Sequence, residues 1–179
     1  MRRTIAAITI SFFALFSSGA NAAAAALDVQ IKDVKKQSTL VIKKKVKQAE
    51  IGAALAEIFP KLGAFMRSQK IQQLSAPMTF YSKTTGGELE IEAGVVVPDG
   101  TKGEGAIEAG ELPAGKAAYF VHVGPYEKLP AAYDKVKEIL KDKQMKDKGV
   151  SWEFYANDPT TVKPDEIKTE IYMPVEEKK

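Results

Sequence analysis

The strand-like segment Val150–Tyr155 places one carboxyl group among aromatic side chains, with Glu153 between Trp152 and Phe154. In an extended strand successive side chains point to opposite faces, so Glu153 and Tyr155 share one face and the Trp and Phe share the other. A carboxylate is costly to bury unless it is paired. On a buried face Glu153 therefore either keeps its charge for a cation or has its pKa raised and acts as a base. The alternative is a strand with one solvent-exposed face, on which Glu153 points into solvent.

The other residue types that carry chemistry are scarce. The chain has one His, His122, and no Cys among its 179 residues. This excludes thiol catalysis, disulfides, thiolate metal sites and clusters of imidazole ligands. No Ser stands in a nucleophile-elbow context, so a catalytic triad is not predicted. We expect no metal and no cofactor, and we expect His122 to end a strand and hydrogen-bond near the Gly124-Pro125 turn at the rim of the site.

Residues 1–22 are predicted to be a secretory signal peptide. Arg2 and Arg3 form a charged start, residues 5–16 are nearly unbroken apolar, and Ala20-Asn21-Ala22 supplies the small residues that a signal peptidase recognises. A membrane anchor is disfavoured because the apolar run is about 12 residues, whereas a span needs roughly 20. We expect cleavage near Ala22, and the two-arginine leader indicates a bacterial protein. The mature protein is expected to be periplasmic or secreted, with no stable membrane insertion.

The remaining chain, residues 23–179, is predicted to be one domain of nearly neutral charge. Lys and Arg number 26 against 23 Asp and Glu, and the leader holds two of the basic residues and no acid. The resulting 24 to 23 balance argues against a nucleic-acid partner, which would require a concentrated basic surplus. A lysine-rich patch is either a phosphate-binding surface or, as we favour, a set of lysines that protects an edge strand from aggregation. It consists of Lys35, Lys36, Lys47 and the lysine run Lys43-Lys44-Lys45.

The order of predicted elements repeats along the chain. In the first half, about 27–98, an opening strand bent near residues 35–38 precedes a helix, and a hairpin at Gly86-Gly87 follows. Apolar residues at helical spacing mark that helix, and Pro60 inside it predicts a kink or a restart. A Gly-rich connector at residues 98–105 leads to the second half, about 105–176, in which strands, one helix and a strand pair recur.

The repeat predicts an α+β fold built from a duplicated βαββ unit with pseudo-two-fold symmetry. Each half has one helix and antiparallel strands, too little to cover its own sheet, so we expect the halves to share a core. A cleft between such halves is a favoured place for ligands. Tyr81 occupies the place in the first half that Tyr155 occupies in the second. Tyr81 either lines the opposite wall of this cleft or packs in the core. Tyr126 either contacts the ligand or packs at the start of the second helix and stabilises it.

The second half carries motifs that resemble GyrI-like domains. These are gyrase-inhibitor-like, effector-binding domains, also found at the C-terminus of some bacterial multidrug-sensing transcription regulators. The matching motifs are His122-Val123-Gly124-Pro125-Tyr126-Glu127, Leu129, Ala132-Tyr133, Trp152-Glu153-Phe154-Tyr155, Asn157-Asp158-Pro159, Thr169-Glu170-Ile171 and Pro174-Val175. The first half is compatible with the same family, whose fold is a duplicated βαββ unit.

The resemblance implies a pocket between the halves for hydrophobic, often cationic or aromatic, small molecules. Glu153 matches the Glu that lies in the family's pocket, and aromatic side chains around it form the walls. With this resemblance we favour the buried position of Glu153 over the solvent-facing one. The predicted ligand-binding residues are Glu153, Tyr155, Trp152, Tyr126, His122 and Tyr81.

Three functions compete. We favour an exported protein that binds hydrophobic or cationic small molecules. The first alternative is a hydrolase with Glu153 as general base, since some family members hydrolyse strained cyclopropane-bearing compounds. The second is a protein-interaction module like the gyrase-inhibiting relatives, which export disfavours. A DNA-binding regulator is not predicted, because only residues 23–26 separate the cleavage site from the first strand. The scaffold also resembles haem-binding SOUL proteins in outline, but nothing marks His122 as an axial ligand.

Overall fold

A computed structural model describes residues 27–83 and 87–178. The predicted signal peptide and residues 84–86 of the predicted hairpin turn lie outside the described residues. In chain order, the elements are β1 (Gln30–Val34), β2 (Gln37–Val46), α1 (Ile51–Ser68), β3 (Met78–Lys83), β4 (Leu89–Val96), β5 (Glu108–Leu112), β6 (Gly115–Val123), α2 (Leu129–Asp142), β7 (Met145–Asp147), β8 (Val150–Tyr155) and β9 (Lys168–Glu177).

The strands form one antiparallel sheet in the order β1-β6-β9-β8-β3-β4-β2-β5, with the short β7 paired to the end of β9. The order reads the same from either end when each strand is exchanged for its counterpart in the other half. Under this exchange β3 and β8 swap places, so the pseudo-two-fold axis passes between them. The predicted α+β fold with a duplicated unit is confirmed, and the halves share one continuous sheet rather than two.

The helices obey the same symmetry. The buried residues Ala54, Ile58 and Leu62 of α1 correspond to the buried residues Ala132, Val136 and Leu140 of α2. Both helices pack on one face of the sheet, α1 against β2 and β4, and α2 against β6 and β9. Among the described residues, no helix has a stretch that is long and apolar enough to cross a membrane.

The bent opening strand predicted for the first half is wrong in one respect, because the structure divides it into β1 and β2. β2 pairs with β4 of its own half, whereas β1 crosses to pair with β6 of the other half. The counterpart of β1 does the same, since β5 pairs with β2. Each half therefore supplies the edge strand of the other, and this exchange ties the two halves together at both ends of the sheet.

α1 continues through Pro60 as one helix, so the predicted restart is not observed. Pro60 lacks an N–H and cannot donate to the carbonyl of Ala56, one turn earlier. The apolar residues of this helix extend beyond the part of its surface that contacts the sheet. Ile58 and Leu62 pack on the sheet, while Ile51 and Leu55 stay partly exposed at the cavity described below.

The lysine run lies on the part of β2 that has a free edge. β5 covers this strand only as far as Val41, and Lys43 to Lys45 pair with β4 alone. Lys43 and Lys44 make surface ion pairs with Glu92 and Glu57. This placement agrees with lysines that protect an edge, the interpretation favoured from the sequence.

The close approach of β4 and β2 depends on Gly94. A Cβ at this position would lie 1.9 Å from the carbonyl oxygen of Leu40, which is backbone and has no room to move. We expect Gly94→Ala to lower the free energy of unfolding by roughly 3 kcal/mol or more, because the two strands must separate. Urea unfolding followed by fluorescence of the sole Trp measures it.

Gly63→Ala is the matched control. Gly63 lies inside α1, where a Cβ would meet only the flexible end of Arg67 at 3.4 Å. Alanine is the better helix former, so this variant is expected to gain up to about 1 kcal/mol. A Gly94→Ala protein as stable as the wild type would show that the sheet accommodates the methyl group, and it would contradict the expected clash with Leu40.

Candidate functional site

Glu153 lies in the central row of the sheet, on the face that carries both helices. It is directly opposite Thr79 on β3, its own counterpart across the pseudo-two-fold axis. The row continues to Ala93 on β4 and to Ile171 on β9. All four residues are buried, and Glu153 is 5% exposed. The carboxyl group therefore lies in the core of the domain, on the seam between its halves.

Tyrosine hydroxyls from three elements surround this carboxyl group. Tyr133 on α2 donates a hydrogen bond to Glu153 Oε1 at 2.8 Å, and the Tyr81 hydroxyl on β3 lies close enough to the same carboxyl group to lower its pKa. The hydroxyl oxygens of Tyr81 and Tyr155 are 2.8 Å apart, and Tyr155 also donates to Thr79 Oγ1 at 3.0 Å. None of the ion pairs in the described part of the chain includes Glu153. The carboxyl group thus has donors but no counter-ion.

Burial raises the pKa of Glu153 from 4.5 to about 7, because the charged form loses its hydration. The hydrogen bond from Tyr133 and the nearby Tyr81 hydroxyl oppose this shift by stabilising the carboxylate. Burial also raises the pKa of the Tyr81 and Tyr133 hydroxyls well above the usual value, and the neighbouring Glu153 charge adds to both shifts. Near neutral pH the site therefore holds neutral tyrosines around a carboxyl group that is close to half ionised.

A cavity of about 1590 Å³ opens beside this group. Its walls come from the N-terminal parts of α1 and α2, from β3 and β8, and from residues 156–160 after β8. The ring of Tyr155 stands between Phe59 of α1 and Tyr126, with both contacts edge-on at 6.0 Å between centroids. The cavity thus joins an apolar and aromatic wall to one buried acid, the composition typical of sites for small organic molecules.

Four of the six predicted ligand-binding residues line this cavity: Glu153, Tyr155, Tyr81 and Tyr126. Strand alternation explains why Glu153 and Tyr155 meet there, and the hydrogen bond between Tyr81 and Tyr155 places the first-half residue in the same network. Tyr126 is 36% exposed and stands at the rim.

Trp152 is not brought into the cavity. It lies on the opposite face of the sheet, stacked on Tyr172 at 5.5 Å and on Phe80 at 6.2 Å between ring centroids. The alternation that turns Glu153 toward the helices turns its neighbour away from them. Its position is that of a core residue of the other face.

His122 is buried and does not line the cavity either. Its Nε2 lies 3.2 Å from the carbonyl oxygen of Pro125, so the ring is hydrogen-bonded to the turn that leads into Tyr126. This agrees with the predicted bond near the Gly124-Pro125 turn. His122 is therefore placed to shape the turn behind the rim rather than to contact a ligand directly.

Tyr133 and Phe59 line the cavity without having been predicted to do so from the sequence, because Tyr133 fitted an apolar helical stripe and Phe59 stood beside one. One signal was available for Tyr133. A tyrosine in a stripe that faces the sheet must find a partner for its hydroxyl, and Glu153 is that partner. Phe59 carries no such signal. Its contact with Tyr155 depends on how the helix lies across the sheet.

Two other acids at the cavity, Asp147 and Asp158, are held by their own loops. Asp147 Oδ1 accepts from the backbone N–H of Gly149 at 2.7 Å, and Asp158 Oδ1 accepts from the backbone N–H and hydroxyl of Thr160. The described ranges contain no cluster of three or more acidic or imidazole side chains with the geometry of a metal site.

Comparison with known proteins gives one family and several solved structures. A family model described as GyrI-like small molecule binding domain matches residues 27–176. The EcmrR C-terminal domain has a similar fold, with a TM-score of 0.73 and 22% identity over 85% of this chain and 99% of that one. The EcmrR chain in a complex with DNA matches with a TM-score of 0.72 and 22% identity over 84% of this chain. The match covers only 58% of that EcmrR chain.

Two further structures share the fold at lower identity. SAV2435 bound to tetraphenylphosphonium matches with a TM-score of 0.60 and 16% identity, over 83% of this chain and 94% of that one. A hydrolase from Listeria innocua matches with a TM-score of 0.62 and 13% identity, over 83% and 91%. No match was found among the curated proteins.

The raised pKa of Glu153 predicts a pH dependence of stability. The folded protein holds this proton with a pKa of about 7, against 4.5 for a glutamate in the unfolded chain, so stability falls as pH rises between these values. From pH 5 to pH 8 this contribution is roughly 3 kcal/mol. As pH rises from 5 to 8, we expect the free energy of unfolding of Glu153→Gln to increase by about that much relative to the wild type. Urea unfolding at each pH measures the difference. Parallel stability curves for the two proteins would contradict the burial of a titrating carboxyl group.

Proposed function

The chain belongs to the family of GyrI-like small-molecule binding domains, and from this premise we propose that it is an exported protein that binds hydrophobic organic cations in the cavity beside Glu153. The single observation that carries the proposal is the buried carboxyl group that has hydrogen-bond donors and no counter-ion in the described part of the chain. A carboxylate in this position is stabilised by any cation that enters the cavity, because attraction between charges is strong where water is excluded.

The walls support a cation with bulky apolar substituents. Phe59 and Leu55 of α1 present apolar surface to the cavity, and the rings of Tyr155 and Tyr126 stand beside the carboxyl group. Aromatic faces attract cations, and apolar area supplies affinity that a small hydrated ion cannot gain. The cavity therefore favours lipophilic cations over metal ions or simple amines. SAV2435, which shares the fold, was solved with such a cation, tetraphenylphosphonium.

Hydrolysis, the alternative, has less support in this chain. A general base must accept a proton from water, and Tyr133 already donates a hydrogen bond to Glu153 while the Tyr81 hydroxyl also stabilises the charged form. These interactions stabilise the carboxylate and reduce its basicity. A pKa near 7 suits either role. The arrangement of donors around the charged form suits a resident anion better than a group that exchanges protons with water, so we retain binding as the proposal.

Export is the second part of the proposal, and it rests on the sequence of residues 1–22. Their two arginines, apolar run and Ala20-Asn21-Ala22 follow the pattern of a cleaved signal peptide. We propose that the mature protein begins at Ala23 and binds its ligand in the periplasm or outside the cell.

Tetraphenylphosphonium tests the binding proposal, by isothermal titration calorimetry at pH 5 and pH 8. If only the ionised carboxylate pairs with the cation, binding weakens as pH falls below the Glu153 pKa of about 7. We expect roughly ten- to a hundredfold weaker binding at pH 5 than at pH 8. Glu153→Gln should bind at least tenfold more weakly than the wild type at pH 8 and should lose the pH dependence.

Glu170→Gln is the matched control for this experiment. Glu170 pairs with Phe154 on the next strand, on the face of the sheet that turns away from the cavity. Its neutralisation removes the same charge nearby and should leave affinity within about twofold. Unchanged binding in folded Glu153→Gln would overturn the role of the buried carboxyl group. Absence of any binding by the wild type would overturn the cation proposal itself.

Expression of the full chain in a Gram-negative host tests export. Mass spectrometry of the periplasmic fraction should find a protein that begins at Ala23, lighter by residues 1–22. Ala20→Arg should block processing, because the peptidase requires a small residue there. A full-length wild-type protein confined to the cytosol would contradict the export proposal.

A further inference from the structure

The two halves line the cavity with different chemistry at equivalent positions of their helices. On α1 the lining residues include Leu55 and Phe59, one helical turn apart and both apolar. Their counterparts on α2 are Tyr133 and Lys137. Tyr133 donates to Glu153, so Lys137 follows one turn further along the wall that holds the buried acid. Among the described residues that line the cavity, Lys137 is the only basic one.

Lys137 is not committed to a partner in the protein. Its closest acid is Asp134, at 3.8 Å between Nζ and Oδ1, which is longer than a hydrogen bond. The two side chains are 43% and 77% exposed, and pairs of this kind contribute little. The cavity acids Asp147 and Asp158 accept hydrogen bonds within their own loops. The ammonium group at the cavity wall is therefore available to an anion that enters from outside.

We propose that Lys137 is a specificity-determining residue that binds an anionic group of the ligand, so that the cavity selects molecules with a lipophilic cation at one end and a carboxylate at the other. This inference rests on the proposed function, since it assigns Glu153 to the cationic end. The i, i+4 spacing of Tyr133 and Lys137 separates the two side chains by roughly 6 Å at Cβ. A short flexible alkyl chain between the two charges of a ligand lets one end reach Glu153 and the other reach Lys137.

A matched pair of probes tests the proposal: pentyltriphenylphosphonium and (4-carboxybutyl)triphenylphosphonium. Both carry the same cation on a chain of similar length, and only the second ends in a carboxylate. At pH 8 and low salt we expect the wild type to bind the carboxylate probe about three- to tenfold more tightly than the pentyl probe. Lys137→Met should abolish this preference, because the methionine keeps the apolar stem of the side chain and removes the charge.

Lys135→Met is the matched control, since Lys135 lies on the same helix, is exposed, and does not line the cavity. It should keep the wild-type preference for the carboxylate probe. The preference should also shrink in about 0.5 M salt in the wild type, because the Lys137 charge is partly exposed and screened.

The outcomes separate the two proposals. If the wild type binds the pentyl probe and the preference for the carboxylate probe is absent, or is unchanged in Lys137→Met, the role of Lys137 is overturned while cation binding stands. If the wild type binds neither probe, the proposed function is overturned and the inference with it. Urea unfolding of Lys137→Met establishes that the variant is folded before its affinities are compared.

Discussion

A carboxyl group buried on the seam between two similar halves is the constraint on which the rest of this domain depends. Glu153 and Thr79 are counterparts under the pseudo-two-fold symmetry, and the axis brings them directly opposite each other. Two identical acids at these positions would face each other in the core, and one would have to stay protonated. With threonine on one strand, the other strand can hold a single acid without a like charge beside it.

The network around this acid requires that β3, β8 and α2 stay docked together. Tyr81 and Tyr155 also occupy equivalent positions, and their hydroxyl groups meet at 2.8 Å across the seam. Tyr133 reaches the carboxyl group from the helix above, with its ring edge-on to Phe120 at 5.9 Å. Movement of α2, β3 or β8 away from the others would leave a buried polar group without its partner, at a cost of about 1–3 kcal/mol for each group. The exchange of β1 and β5 between the halves resists such movement, because it pairs each half with the other at both ends of the sheet.

The sequence predicted the parts of this arrangement that depend on local pattern. Alternation along residues 150–155 indicated that Glu153 and Tyr155 share a face, and the repeat of elements indicated the two-fold fold. The same alternation argued against Trp152 as a cavity residue, and its inclusion among the ligand-binding residues gave more weight to aromatic character than to strand geometry. The sequence could not predict that β1 pairs with a strand of the other half, because side-chain periodicity identifies a strand but not the strand that pairs with it. The roles of Tyr133 and Phe59 depend on the placement of each helix on the sheet, which apolar stripes do not specify.

Duplication gives the cavity matched walls, and its selectivity must come from the positions where the halves differ. Glu153 against Thr79 and Tyr133 against Leu55 place the acid and its donor on the second half and leave the α1 wall of the first half apolar. A ligand in this cavity meets an asymmetric environment, with hydrocarbon and ring edges on one side and a hydrogen-bonded acid on the other. Under the proposed function, such a site orients an amphiphilic molecule without a close steric fit, because reversing the molecule would bury its charge against Leu55 and Phe59. Orientation by polarity also tolerates variation in the apolar part, so a cavity of about 1590 Å³ can be selective for charge and permissive for shape.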